Sequence, residues 1–241
     1  NVPTYDMTDV VNSTLTMVMT LMRGLLSYHE ALKADIRKGW AWEGPPILRR
    51  VGSQKFGVIG CGRIGTAVLL RAKALGMEVG YYDPYLPVGH DKSLDFNRFD
   101  SLSDLLGWAD AVSIHTPLNE ETTFMINADA VAMMKPGMII ANCARGMLVD
   151  LDAVEGGIKS GHIAGAALDA FALEPPPPHP LLDAWARDEE WVKGRLCLTP
   201  HSSWYSKATF DDIRRDAART AADYLLRDNL RNQVNLEFMP D

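Results

Sequence analysis

The sequence holds only three cysteines, Cys61, Cys143 and Cys197, odd in number, far apart and without a CxxC pair. That excludes a disulfide framework, offers no structural zinc pattern and fits a reducing, cytoplasmic setting. An excess of basic charge is missing too: 24 Lys and Arg stand against 31 Asp and Glu, a net charge of -7. Such a balance does not attract nucleic acid or an anionic membrane nonspecifically, so neither is an expected partner. The most apolar helical stretch, Leu15 to Leu26, is shorter than the ~20 residues a membrane span needs and contains Arg23. No internal repeat is present, and the one low-complexity tract is a run of four prolines. The chain opens Asn1-Val2-Pro3, with neither an initiator Met nor a signal-peptide pattern, which leaves room for an upstream segment outside this sequence.

What remains is the composition of an ordinary globule. Hydrophobic residues make up 47% and charged residues 23%, which rules out a disordered, collagen-like or coiled-coil chain. At 241 residues there is room for one large or two small domains. Asp6 offers an N-cap for an apolar-rich run through Met17, Leu21 and Leu25, which predicts one long helix to about Asp35, buried between parts of the molecule. Lys38 to Val51, with Gly44-Pro45-Pro46, breaks that pattern and reads as a connector.

Strand-like and helix-like runs then alternate, which predicts a parallel sheet covered by helices. The predicted strands are Lys55 to Ile59, Glu78 to Tyr82, Ala111 to Ile114, Met138 to Asn142, Ala164 to Leu168 and Leu196 to Leu198. Helical patterns occupy Ile64 to Leu75, Leu102 to Trp108, Ala128 to Met134 and Leu151 to Ser160. Glu174 to His179, with its prolines, is a rigid loop because proline removes a donor and fixes φ. A final amphipathic helix is predicted over Lys207 to Arg227.

Gly60-Cys61-Gly62-Arg63-Ile64-Gly65 satisfies GxGxxG between a predicted strand and a predicted helix. The first glycine permits a tight turn, the second lets a pyrophosphate approach the backbone, and the third lets helix pack closely on strand. Free N–H groups at the helix start meet the phosphate charge. Eighteen residues after Gly65, Asp83 closes the next strand, where a carboxylate can accept both ribose hydroxyls and repel a 2′-phosphate. With no Arg following nearby, NAD is expected over NADP.

At this point the sequence resembles the D-isomer-specific 2-hydroxyacid dehydrogenases. The resemblance rests on Gly57 to Gly65, His115-Thr116-Pro117-Leu118, Met134-Lys135-Pro136-Gly137, Asn142-Cys143-Ala144-Arg145-Gly146-Met147-Leu148-Val149-Asp150, and Asp169 through Glu174-Pro175 to Thr199-Pro200-His201. These cover nearly the whole chain in the family's order. The resemblance implies a Rossmann-type doubly wound α/β domain over 1–203, with the first helix between domains. Residues 204–241 would then be the end of a second, flavodoxin-like substrate domain.

It also implies a catalytic set of Arg145, Glu174 and His201. Reduction of a 2-keto acid needs a hydride, a proton for the nascent alkoxide and a cation for the carboxylate. An imidazole such as that of His201 can give and take a proton and suits the proton transfer, Glu174 would orient its ring, and the planar fork of Arg145 suits a carboxylate. Singly, each is an ordinary surface Arg, loop Glu or turn His; their order together carries the assignment. As cofactor-binding positions the resemblance implies Gly60, Gly62, Arg63, Ile64, Gly65, Asp83, Pro84, His115, Thr116, Pro117, Thr122, Cys143, Ala144, Arg145, Asp169 and His201. Substrate contacts are expected from Arg145, His201 and Trp204, the last also suited to core packing. His90, His162 and His179 lack metal-ligand spacing, so no metal is expected. Cys61 and Cys143 read as packing thiols.

Two features qualify the likeness. Full-length family members carry about a hundred further residues ahead of Asn1, half of the substrate domain, so this chain is expected to bind NAD and to depend on the missing half for turnover. His201-Ser202-Ser203-Trp204-Tyr205 and Tyr82-Asp83-Pro84-Tyr85 are similar to the C-terminal binding protein branch. That branch implies an alternative, an NAD(H)-responsive corepressor-like scaffold that binds proteins. A homodimer built partly on the long N-terminal helix is expected under either reading.

Overall fold

A computed structural model describes residues 7–230. Asp6, the expected first cap, and the tail 231–241 lie outside them. The helical N-terminal run divides in two, α1 (Met7–Met22) and α2 (Leu25–Ala34). It therefore departs from the single helix predicted to Asp35. Gly24 sits in the left-handed region at φ 59°, and a Cβ there would press on the Pro45 ring and the Ile47 carbonyl. The break is thus a turn made so that the connector can pack against it. Only α1 is buried as expected; α2 has no buried residue and exposes Leu25 and Leu26.

After the connector the chain runs β1 (Lys55–Ile59), α3 (Arg63–Ala74), β2 (Glu78–Tyr82), α4 (His90–Leu94), β3 (Asn97–Phe99), α5 (Leu102–Trp108), β4 (Ala111–Ile114), α6 (Ala128–Met133) and β5 (Met138–Asn142). It continues with α7 (Leu151–Ser160), β6 (Ile163–Leu168), α8 (Pro180–Ala186), β7 (Leu196–Leu198) and α9 (Lys207–Arg227). The six predicted strands agree with these within a residue at each end, as do the helical patterns after them. Missed were the edge strand β3 and the short helices α4 and α8.

All seven strands are parallel, in the order β3-β2-β1-β4-β5-β6-β7. The order reverses between β1 and β4, which opens a crevice at the carboxyl ends of those strands, where open α/β sheets hold ligands. Alternation along each strand sends Val58, Ala111, Ile139 and Ala141 to one core, under α1 and α3. Ile59, Val112, Ile114 and Ile140 go to the other, under α5 to α8. Burial on both faces explains why the strands are continuous apolar runs.

At its start α9 is tied to α1: Ser206 Oγ donates to Asp9 Oδ2 at 2.7 Å, and the Thr209 hydroxyl donates to the same carboxylate. Further on it exposes Leu225 and Leu226. Among the described residues no helix is long and apolar enough to cross a membrane.

Candidate active site

The end of β1 is built from backbone. Gly60 turns at φ 87°, where a Cβ would crowd the His115 carbonyl group at about 3 Å. A Cβ at Gly65 would overlap the Gly60 carbonyl oxygen and the Val58 side chain, so α3 packs on β1 only because Gly65 has none. At Gly62 the same construction meets nothing within 4 Å. The second glycine therefore faces open space, at the start of a helix that no side chain caps. Open space beside an uncapped helix start is what a dinucleotide pyrophosphate would need, so these residues fit NAD(H).

Asp83 closes β2 beside that loop. Its Oδ2 accepts the Cys61 N–H at 2.9 Å and its Oδ1 accepts the Tyr85 N–H at 3.0 Å. An ionised carboxyl has about four acceptor positions, so capacity for ribose hydroxyls remains. Pro84 follows on the exposed rim, and Arg63 and Ile64 form the first turn of α3. Across the crevice, His115 ends β4 with its Nε2 2.9 Å from Ser113 Oγ. Burial pushes that imidazole down to about 4, so it stays neutral. Thr116 and Pro117 continue the rim, and Thr122, buried, donates its hydroxyl to the Pro117 carbonyl at 2.7 Å.

The ends of β5, β6 and β7 bring Arg145, Glu174 and His201 to the same edge of the sheet. His201 Nδ1 lies 2.9 and 2.7 Å from the two Glu174 oxygens. Glu174 Oε1 also accepts the Phe171 N–H at 3.0 Å. Burial alone would raise the Glu174 carboxyl, but the Phe171 N–H, His201 and Arg145 outweigh it and hold it below its ordinary range. Arg145 is exposed, its Nη1 resting 2.8 Å from the Ala144 carbonyl, and Asn142 fixes its backbone by donating to the Arg145 carbonyl at 2.8 Å. Gly146 after it has no room for a Cβ against Phe171 and Ala172, which seats the Arg145 turn on the loop that carries Glu174.

His201 itself has φ 51°, a conformation costly for a residue with a side chain. The cause is Asp169, 1% exposed at the end of β6. Its Oδ1 accepts the Thr199 hydroxyl at 2.6 Å and the Ser202 N–H at 2.8 Å, and its Oδ2 accepts the Ser203 N–H at 3.1 Å. The Asp169 carbonyl takes the His201 N–H at 2.7 Å. One buried carboxyl group thus staples the whole His201 turn. The resemblance gave Asp169 only as a cofactor-binding position, with no sign of Thr199, Ser202 and Ser203 as its partners, because the contacts span thirty residues or more.

Other candidates have structural accounts. Trp204 is half-buried against the core under α1, its ring edge-on to Tyr205 with centroids 5.6 Å apart. Burial pushes the thiols of Cys61 and Cys143 up and that of Cys197 up to about 11, so all three stay protonated. Ligand atoms of Asp152, Glu155 and His179 lie within 4.8 Å of one another. His179 Nδ1, however, accepts the Leu181 N–H at 3.1 Å as the cap of α8. The ring proton is therefore on Nε2, directed to Asp152 at 3.1 Å, and Glu155 pairs with Lys159 at 2.5 Å, so the group is satisfied without an ion.

Residues 15–203 match the family profile described as D-isomer specific 2-hydroxyacid dehydrogenase, NAD binding domain. The chain belongs to this family. A relative in Caenorhabditis elegans, C-terminal-binding protein 1, is 34% identical over 218 residues, which are 88% of this chain and 29% of that protein. This family member thus spans under a third of that relative's length. The solved structure of D-2-hydroxyisocaproate dehydrogenase superposes with a TM-score of 0.82 at 30% identity, over 97% of this chain and 71% of that one. A D-lactate dehydrogenase from Aquifex aeolicus, complexed with NAD and lactic acid, gives 0.79 at 26% identity, over 97% and 72%. The parallel sheet of this dehydrogenase-family chain is a Rossmann-type NAD-binding fold, and NAD is its cofactor.

Proposed function

We propose that this chain is the NAD(H)-binding part of a D-2-hydroxyacid dehydrogenase, with residues 1–203 as the dinucleotide domain and 204–241 as the end of the substrate domain. The observation that carries this reading is the His201–Glu174 pair beside Arg145, on the sheet edge that also bears the glycine loop. The hydride comes from the nicotinamide when NADH is bound; everything else falls to the protein. Glu174 holds His201 by Nδ1, which leaves Nε2 to give its proton to the alkoxide as the keto carbon is reduced, and to take it back in the reverse direction. Glu174 stays ionised and balances the imidazolium charge. Arg145 holds the substrate carboxylate through its two-pronged fork, and the apolar Trp204 borders the substrate side. The exposed Leu225 and Leu226 near the end of α9 support its assignment to a second domain.

The corepressor-like scaffold is the weaker reading, since protein binding alone has no use for a proton donor paired with a carboxylate beside a cation. NADH oxidation with a panel of 2-keto acids tests the proposal. Steady loss of the 340 nm absorbance with one acid supports it; no turnover with any acid in the protein carrying both substrate-domain halves would leave the scaffold ahead.

For the assembly, a homodimer is the reading we favour, with the contact moved from α1, whose apolar face is used inside the fold, to α2 and the connector. Ile36, Trp40 and Trp42 are exposed there, the two indoles at 77% and 84%. Sedimentation at micromolar concentration that returns a monomer would refute it. The protonated, unpaired thiols support a reducing, cytoplasmic setting.

A further inference from the structure

Two loops flank the glycine loop, because β2 and β4 lie on either side of β1. From the first, Tyr85 extends its phenol, 78% exposed, and its hydroxyl donates to Glu121 Oε2 on the second. The contact therefore passes over the carboxyl end of β1. It also joins two sets of hydrogen bonds, one on each loop. The Cys61 N–H and the Tyr85 N–H both donate to Asp83, Tyr85 joins Glu121, and the loop of Glu121 is tightened by Asn119 and Thr122, whose hydroxyl returns to the Pro117 carbonyl.

The position in the sheet says which part of the cofactor this contact would cross. His201, Glu174 and Arg145 stand at β5 to β7, so the reacting ring belongs on that side, and the adenosine belongs on the side of β2 and Asp83. We propose that Tyr85 and Glu121 form a latch over the adenosine end of the dinucleotide cleft, which opens to admit NADH and recloses behind it. This rests on the NAD(H) site described above and adds two residues to it that the glycine motif does not contain.

The chemistry suits a latch. Both partners are exposed, so the bond competes with water and opens easily, while the rigid phenol needs few torsions to find Glu121 again. The acceptor is charged, which makes the bond stronger than a neutral one. Glu121, by hydrogen bond and by charge, also holds the Tyr85 hydroxyl in its protonated, donating form.

The test is stopped-flow fluorescence of NADH binding to the chain, with Tyr85→Phe, Glu121→Ala and the double variant. The readout is cofactor binding, independent of keto-acid chemistry. Association and release should each become about 3–10-fold faster in either single variant, with Kd changed less than about twofold, as expected for loss of one charge-assisted hydrogen bond. The double variant should be no faster than the singles, since either change opens the same bond. Rates equal to wild type, or single effects that multiply in the double variant, would overturn the latch alone. A wild-type chain without any NADH signal would overturn the dinucleotide site and the latch together.

Discussion

The glycine loop and the Arg145–Glu174–His201 cluster occupy one edge of one sheet and are made from opposite materials. The first is backbone: six consecutive residues in which the useful features are a missing Cβ at Gly60 and Gly65 and open space at Gly62. The second is side chain, gathered from three strand ends, with its His201 turn held by Asp169, buried and distant in sequence from that turn. A backbone site is damaged by adding atoms, a side-chain site by removing them. The two should therefore fail separately.

The largest effect separates them most cleanly. His201→Gln should lower keto-acid reduction about 10²–10⁴-fold, the usual share of general acid catalysis, with NADH affinity unchanged in a fluorescence titration. A parallel loss of NADH binding would mean that the two ends are not independent. Next, Asp169→Asn puts an amide where one oxygen accepts an N–H, and should reduce unfolding stability in urea by about 1.5–3 kcal/mol. It should impair turnover more than NADH binding, because it releases the His201 turn and leaves β1 alone.

The glycines sharpen the contrast from the other side. Gly65→Ala forces a methyl group against backbone and should destabilise the fold by about 1–3 kcal/mol as well as weaken NADH binding. Gly62→Ala fits the cofactor-free protein, so its unfolding midpoint should stay put while NADH affinity falls at least about tenfold, or 1.4 kcal/mol. Normal NADH affinity in Gly62→Ala would show that the open space is not where the cofactor approaches.

The smallest effect concerns pH. Because the Glu174 carboxyl is held below its ordinary value, its pairing contributes stability above the unfolded carboxyl range near 4, and that contribution is lost as pH falls through the depressed value. Glu174 is 38% exposed, so solvent screening keeps the contribution under about 1 kcal/mol. Melting curves should show wild type above Glu174→Gln at pH 6, with the gap closing toward pH 3. A gap independent of pH would mean that the charge of Glu174 is not what stabilises the pair.

The same division decided what could be read in advance. Each buried strand is a short apolar run and GxGxxG is contiguous, so strand positions and the glycine turn after β1 were legible. β3 was not, because Asn97-Arg98-Phe99 is a short edge strand with a charge in it. Nor was α8, whose start at Pro180 directly follows the stretch Glu174 to His179 that reads as loop. The break at Gly24 depends on Pro45, twenty-one residues on, and Ile47 beyond it. The trio and the pairing of Glu174 with His201 could be named through family order, and the structure brings that pair together, but the Asp169 staple is a fact of three dimensions that no spacing encodes.

Because every one of these parts hangs from a single uninterrupted parallel sheet, the sheet also acts as a ruler. Four inter-strand steps separate β1 from β7, and at ~4.8 Å each they set the glycine loop about 19 Å from the strand that leads to His201. With a pyrophosphate on the loop, as proposed, the adenosine would lie toward β2 and the nicotinamide toward β5 to β7, so the strand order would divide the two halves of the cofactor between the two flanks of β1.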